Sequence, residues 1–164
     1  MLLFLDIDGV LHAEPIVPGQ ELAHLPALEA ILREFPAVKI VISSNWRVKQ
    51  GVTELQAIFS DDIAHRVLGV TPILTGYASW PYTRQSEIVE WLRANELAHS
   101  AWIALDDKPH LFRPFCRNLI VCQTQTGLDD GVVKSLRERF ANSASATYSS
   151  RCDIALGDNA GLGG

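Results

Sequence analysis

Five apolar runs rich in Val, Ile and Leu recur along the chain, at residues 2–6, 38–43, 67–70, 101–105 and 118–122. Turn-forming residues bound each run, and none alternates apolar with polar positions. A half-buried strand alternates because successive side chains leave opposite faces. An unbroken apolar run suits a strand covered on both faces, as in a parallel sheet. Between the runs the period changes to that of a helix. Pro26 opens a segment in which Leu28, Ile31, Leu32 and Phe35 keep helical spacing, and Pro36 stops it. In 84–97, Ile88, Trp91, Leu92 and Leu97 share one side, with Thr83 as the N-cap. A third segment, 129–140, turns Val132, Val133, Leu136 and Phe140 inward. Strands alternating with helices predict an α/β fold: a doubly wound, Rossmann-like three-layer sandwich around a five-stranded parallel sheet.

The chain has 164 residues, 48% of them hydrophobic, enough for one domain with a full core, expected over residues 1–141. Beyond that point Ser, Ala, Gly and Asn dominate, and a mobile tail is expected over 142–164. A net charge of −5 gives no general attraction to nucleic acid or to an anionic membrane. No run approaches the about 18 apolar residues of a membrane span, and the opening Met1–Leu5 is too short for a signal peptide. The cytoplasm is the expected compartment. Cys116, Cys122 and Cys152 form no Cys-x-x-Cys pair and read as free thiols. The histidines, His12 among them, are scattered singly without the spacing of zinc ligands.

Chemistry enters where three of the runs end. The first ends in Asp6-Ile7-Asp8-Gly9, the second in Ser43-Ser44-Asn45, the fourth in Asp106-Asp107. Two carboxylates at the end of a buried strand repel each other and need a compensating cation. Oxygen-only ligands suit Mg²⁺, which one or two carboxylates hold while phosphate and water complete its shell. The same Asp-x-Asp-Gly occurs in turns and in calcium loops, but the EF-hand pattern fails here because Val10 and Leu11 stand where further oxygen ligands are required. In an open parallel sheet, ligands collect beyond the carboxyl ends of the strands, which is where all three polar endings fall.

In these motifs, over roughly residues 1–140, the sequence resembles the haloacid dehalogenase-like phosphohydrolase superfamily. The resemblance implies that Asp6 is a nucleophile that becomes phosphorylated and that Asp8 is the general acid and base. It implies that Ser44 hydrogen-bonds the transferring phosphoryl group, with Ser43 as the alternative. Arg84 takes the place of the cation that neutralises the phosphoryl oxygens; Lys is more usual there, and a solvent-facing arginine is the competing reading. Mg²⁺ is then expected on Asp6, on Asp8 through its backbone carbonyl, and on Asp106 or Asp107. A decoy for the last motif, Ile154–Asp158, lies in the expected tail. Ser44-Asn45-Trp46-Arg47, the Arg84–Leu92 helix, Asp106-Asp107 and Gly127-Leu128 further resemble the stand-alone phosphatase-like domains associated with RNA-repair proteins.

The stretches His12–Pro26 and 47–83 are too short to hold the cap domain that many members insert, so a capless protein is expected. An open site favours a nucleic-acid end, a phosphoprotein, or a lid supplied by a partner protein. Gly9, Asn45, Trp46 and Arg47 are the expected substrate-binding residues, and Trp46, Arg47, Trp80, Tyr82 and Arg84 would make a shelf for bases and phosphates. The competing reading places the tryptophans in the core and the arginines in solvent. Two functions of different class remain: a Mg²⁺-dependent phosphomonoesterase working through an aspartyl-phosphate, and a non-catalytic module that keeps the fold and binds phosphate or nucleic acid. Dehalogenation is disfavoured because Asp8 is the acid that marks phosphoryl-transfer members.

Overall fold

The structure of the chain, a computed structural model, describes residues 1–75 and 81–155, with side chains described up to residue 143. The five apolar runs form five strands: β1 (Leu2–Leu5), β2 (Lys39–Ile42), β3 (Val67–Val70), β4 (Trp102–Asp106) and β5 (Leu119–Val121). Every neighbouring pair is parallel, in the order β3-β2-β1-β4-β5. The helices are α1 (Leu25–Glu34), α2 (Val52–Gln56), α3 (Asp61–Ala64), α4 (Thr83–Ala94) and α5 (Asp130–Ala155). This is the expected α/β Rossmann-like sandwich, and among the described residues no cap domain interrupts it.

The unbroken apolar runs have their explanation in the two faces of β1. Leu3 and Leu5 enter a core with Leu28, Ile31 and Leu32 of α1 and Leu136 and Phe140 of α5. Leu2 and Phe4 point the other way, into a second core with Ile88, Trp91 and Leu92 of α4. Phe4 meets Trp91 and Trp102 edge to face, both at 5.7 Å between ring centroids. Two of the four tryptophans therefore complete the core, as aromatic area favours.

Two helix ends differ from expectation. Thr83 is the first residue of α4 rather than its cap: Tyr82 holds the cap position in a left-handed conformation, φ 66°, and its carbonyl accepts from the Ser86 N–H at 3.0 Å. Helix α5 runs on to Ala155 although its last buried described side chain is Phe140. Ala and Ser cost a helix little once packing has nucleated it. Asp158 lies outside the described residues, as does Trp80. No helix among the described residues is long and apolar enough to cross a membrane.

Phe4, fully buried on β1, packs its ring against Trp91 of α4 and Trp102 of β4. Phe4→Ala is expected to lower the free energy of unfolding by about 3–5 kcal/mol, read from urea denaturation. A loss below about 1 kcal/mol would show that the second core does not close around it.

Candidate active site

Parallel register builds the site. Leu5 stands beside Ile42 on one neighbour and Leu105 on the other, so Ser43, Asp6 and Asp106 emerge together at the carboxyl edge. The Asp6 N–H bonds the Leu105 carbonyl at 3.0 Å, and the Ser43 N–H bonds the Leu5 carbonyl at 2.9 Å. The chain leaves β1 toward β2 and β3 on one side and returns to β4 on the other. The crevice therefore opens at the topological switch point between β1 and β4.

Asp6, Asp106 and Asp107 are all buried, and each offers an oxygen within 4.8 Å of the others. Arg84, in the first turn of α4, is buried against them. Its Nη1 donates to Asp106 Oδ2 at 2.9 Å and lies 3.1 Å from Asp6 Oδ2, an ion-pair distance without hydrogen-bond alignment. The arginine expected only from its place in the sequence is thus inside the site. Asp6 Oδ1 accepts from the Ile7 N–H at 2.8 Å, Asp106 Oδ1 from the Lys108 N–H at 2.8 Å, and Asp107 Oδ2 from the Thr124 hydroxyl at 2.9 Å. Asp6 Oδ2 and Asp107 Oδ1 are buried without a hydrogen bond. Gly9 is required by the same crowding. Its φ is +70°, and a Cβ built on it would fall against Asp107 Oδ2 and 2.6 Å from Asp107 Cγ. The structure therefore gives Gly9 a steric role beside Asp107.

Asp6 and Asp106 share the buried Arg84 guanidinium, while Asp107 Oδ1 has only the partly exposed Lys108 Nζ, 3.6 Å away. Burial, reinforced by the negative charges of Asp6 and Asp107 and opposed by Arg84 and the Lys108 N–H, pushes the Asp106 carboxyl up to about 7. Burial alone would lower the Arg84 guanidinium, but Asp6 and Asp106 outweigh it and hold it raised. One cation is missing from this balance. The two orphaned oxygens and the all-carboxylate donor set fit a hard divalent ion, so the residues present match a metal centre on Asp6, Asp106 and Asp107.

Asp8 is not part of that cluster. Its carboxylate, half-exposed, turns the other way: Oδ1 accepts from Trp46 Nε1 at 2.9 Å and pairs with His12 Nε2 at 3.1 Å. The ligation expected of Asp8 is through its backbone carbonyl, and its side chain, held by Trp46 and His12, stands outside the acidic cluster.

Ser44, two residues past β2, caps a 3₁₀ turn, Asn45–Val48, and its hydroxyl accepts from the Trp46 N–H at 3.3 Å. That leaves its own proton to donate. The buried Ser43 hydroxyl has no partner among the described residues, so both serines keep a donor for phosphate. Asn45 is exposed and lines, with Arg47, Val48, Arg84 and Glu87, a hollow of about 200 Å³.

Arg47 corrects the expected shelf. Its side chain is buried: Nη1 donates to the Ser43 and Ser44 carbonyls at 2.6 and 2.8 Å, Nε to the Thr71 carbonyl at 3.1 Å, and Nη2 to Glu87 at 2.6 Å. A guanidinium so committed clamps the Ser43–Ser44 turn rather than a substrate. Trp46 likewise packs on the first core with its indole N–H spent on Asp8. The sequence reading missed His12, Glu87, Lys108 and Thr124. Glu87 carried a signal: Arg84, Glu87, Ile88 and Trp91 form one helical stripe, and charges embedded in an apolar stripe are buried in pairs. His12 carried none, because its pairing depends on the fold of the 7–12 loop.

The raised Asp106 carboxyl yields a pH prediction. Its folded value of about 7 lies above the unfolded value, so folding takes up a proton between the two. Its contribution to stability is therefore fully present at and below about pH 4 and is lost as pH rises through about 7. The Tm of metal-free protein is expected to fall across that window more steeply than in Asp106→Asn. A saturating divalent ion should raise Tm more at pH 8 than at pH 5, because it displaces the Asp106 proton. Equal metal-induced shifts at both pH values would contradict the site.

A family model described as "HAD domain in Swiss Army Knife RNA repair proteins" matches residues 2–133, a span that holds all five strands and every residue of this site. Comparisons with curated proteins and with solved structures return no match. With its three polar strand ends gathered at one switch point and the family model covering most of its length, the chain belongs to the haloacid dehalogenase (HAD) domains of Swiss Army Knife RNA repair proteins.

Proposed function

We propose that this protein is a Mg²⁺-dependent phosphatase that hydrolyses phosphomonoesters through a phosphorylated Asp6. The family makes a phosphohydrolase-type function the expectation, HAD domains being mostly hydrolases. The observation that carries the finer reading is the Asp6 carboxylate itself: buried at a strand end, beside Arg84, with Oδ2 lacking a hydrogen bond. That oxygen lies 3.1 Å from the guanidinium, and no hydrogen-bond donor blocks its lone pairs.

In the first step an Asp6 carboxylate oxygen attacks phosphorus, the bond from phosphorus to the ester oxygen breaks, and Asp8 gives that oxygen its proton. In the second, water attacks the same phosphorus, Asp8 takes a proton from it, and the acyl-phosphate bond opens to restore Asp6 and release inorganic phosphate. Arg84 and the Ser44 hydroxyl, with Ser43 as its alternative, stabilise the charge spread over the phosphoryl oxygens. Asp6, Asp106 and Asp107 would hold Mg²⁺, which would supply the positive charge needed to bring a phosphate dianion against a carboxylate.

The absence of a cap domain leaves the crevice open, which supports a phosphate on a large molecule: a nucleic-acid end first, a phosphoprotein second, or a substrate closed in by a partner's lid. Free thiols at Cys116 and Cys122 suit the reducing cytoplasm.

A panel of aryl phosphates and of 5′- and 3′-phosphorylated oligonucleotides, assayed with Mg²⁺ and with chelator, tests this reading. Turnover is expected only with metal. Asp6→Asn should abolish it without lowering the Tm of the metal-free protein, since one of three crowded carboxylates loses its charge. Asp8→Asn should lose about 10²–10⁴-fold and accumulate phosphate on Asp6. Wild-type phosphate binding without turnover on any ester would instead establish the non-catalytic module.

A further inference from the structure

His12 and Trp46 approach Asp8 from two different elements, yet both reach the same oxygen. Trp46 Nε1 donates to Asp8 Oδ1 at 2.9 Å from the turn after β2. His12 Nε2 lies 3.1 Å from Oδ1 at the far end of the 7–12 loop. The imidazole is buried, and its Nδ1 accepts from the Leu22 N–H at 3.4 Å. With Nδ1 accepting, the ring N–H that faces Asp8 is on Nε2. The two rings lie 6.2 Å apart between centroids and bracket the carboxyl. Both N–H groups sit on Oδ1, and Oδ2 takes neither.

We propose that His12 and Trp46 are positioning residues for the reaction: together they saturate Asp8 Oδ1, so that the proton exchanged with the leaving group and with water resides on Oδ2. The inference deepens the phosphatase reading and rests on it. A carboxyl group rotates about its last bond, and an unheld one presents either oxygen in many directions. Two donors converging on one oxygen fix both the identity and the direction of the other, which is what proton transfer within hydrogen-bond reach demands. Trp46 then owes its place in the Ser44–Arg47 turn to Asp8, not to a nucleic-acid base.

The test is a leaving-group comparison at saturating Mg²⁺. An alkyl ester, such as glycerol 2-phosphate, needs a proton on its departing oxygen; 2,4-dinitrophenyl phosphate departs as a stable anion and does not. For Trp46→Phe, which keeps the ring and removes the N–H, and for His12→Leu, kcat/KM is expected to fall about 10–100-fold on the alkyl ester. The loss on the dinitrophenyl ester should be at least about tenfold smaller. His12→Gln, whose amide can replace the Nε2 donor, should recover most of the alkyl-ester activity. Equal losses on both esters would overturn the positioning role and leave a purely structural one.

A readout without turnover accompanies it. The indole N–H resonance of Trp46, assigned by its disappearance in Trp46→Phe, is expected to move upfield in Asp8→Ala and to shift in His12→Leu. An unmoved resonance in Asp8→Ala would also overturn the inference, since the donor would then not be on Asp8. Failure of the phosphatase reading looks different: wild-type protein would turn over neither ester, and the catalytic role of His12 and Trp46 would fall with it even if the resonance moved.

Discussion

Everything in this molecule that bears on chemistry follows from placing Asp6, Asp106 and Asp107 together in the interior with Arg84 as their near neighbour. Carboxylates at adjacent strand ends cannot avoid one another, because parallel strands lie about 4.8 Å apart and the register sets Asp6 beside Asp106. Burying them without partners would cost several kcal/mol per ion. The fold offsets part of this with the Arg84 ion pairs, the backbone N–H groups of Ile7 and Lys108, and the Thr124 hydroxyl. What it leaves unmet, two carboxylate oxygens without a hydrogen bond and a carboxyl shifted toward neutrality, is the kind of demand that a hard divalent ion would meet.

Around that centre lies a second set of buried charges whose task is geometric. Arg47 ties the carbonyls of Ser43, Ser44 and Thr71 to Glu87 on α4, and Glu87 accepts from the Leu74 N–H at 3.4 Å. Burial pushes the Glu87 carboxyl up and the Arg47 guanidinium down, while each holds the other charged. Breaking such a pair strands an uncompensated charge in the interior, typically at about 3–5 kcal/mol. The ends of β2 and β3 and the first turns of α4 are thereby locked as one unit, and Arg84 and Ser44 inherit fixed positions from it.

The opposite wall is lighter and more exposed. Asp8 stands apart from the three buried carboxylates, held by His12 and Trp46. Separating it in this way gives two neighbouring aspartates of one tetrapeptide different surroundings, one buried beside a guanidinium, the other partly exposed and facing an indole and an imidazole. Acid–base chemistry on one fold depends on such differences in environment. Gly9 makes the separation possible, since its left-handed turn directs the chain away just where Asp107 fills the space a side chain would take.

Much of this was legible in the sequence. Unbroken apolar runs declared a sheet covered on both faces, and helical spacing named α1, α4 and the first part of α5, because these patterns are set by local periodicity and burial. The polar ends of three runs marked Asp6, Ser44 and Asp106-Asp107 for the same reason: a polar residue at the carboxyl end of a buried strand has one crevice to enter. Where a long side chain finally points is not a local property. Arg47 and Trp46 read as a substrate shelf beside the motif, yet tertiary packing turned the guanidinium onto three carbonyls and Glu87 and the indole onto Asp8. His12 was invisible because its partner is chosen by the path of the 7–12 loop, and Glu87 because its partner comes from another element. The sequence by itself determined which residues reach the edge of the sheet; the tertiary structure alone decided which of them face the crevice, since only packing fixes the pairings of buried charges.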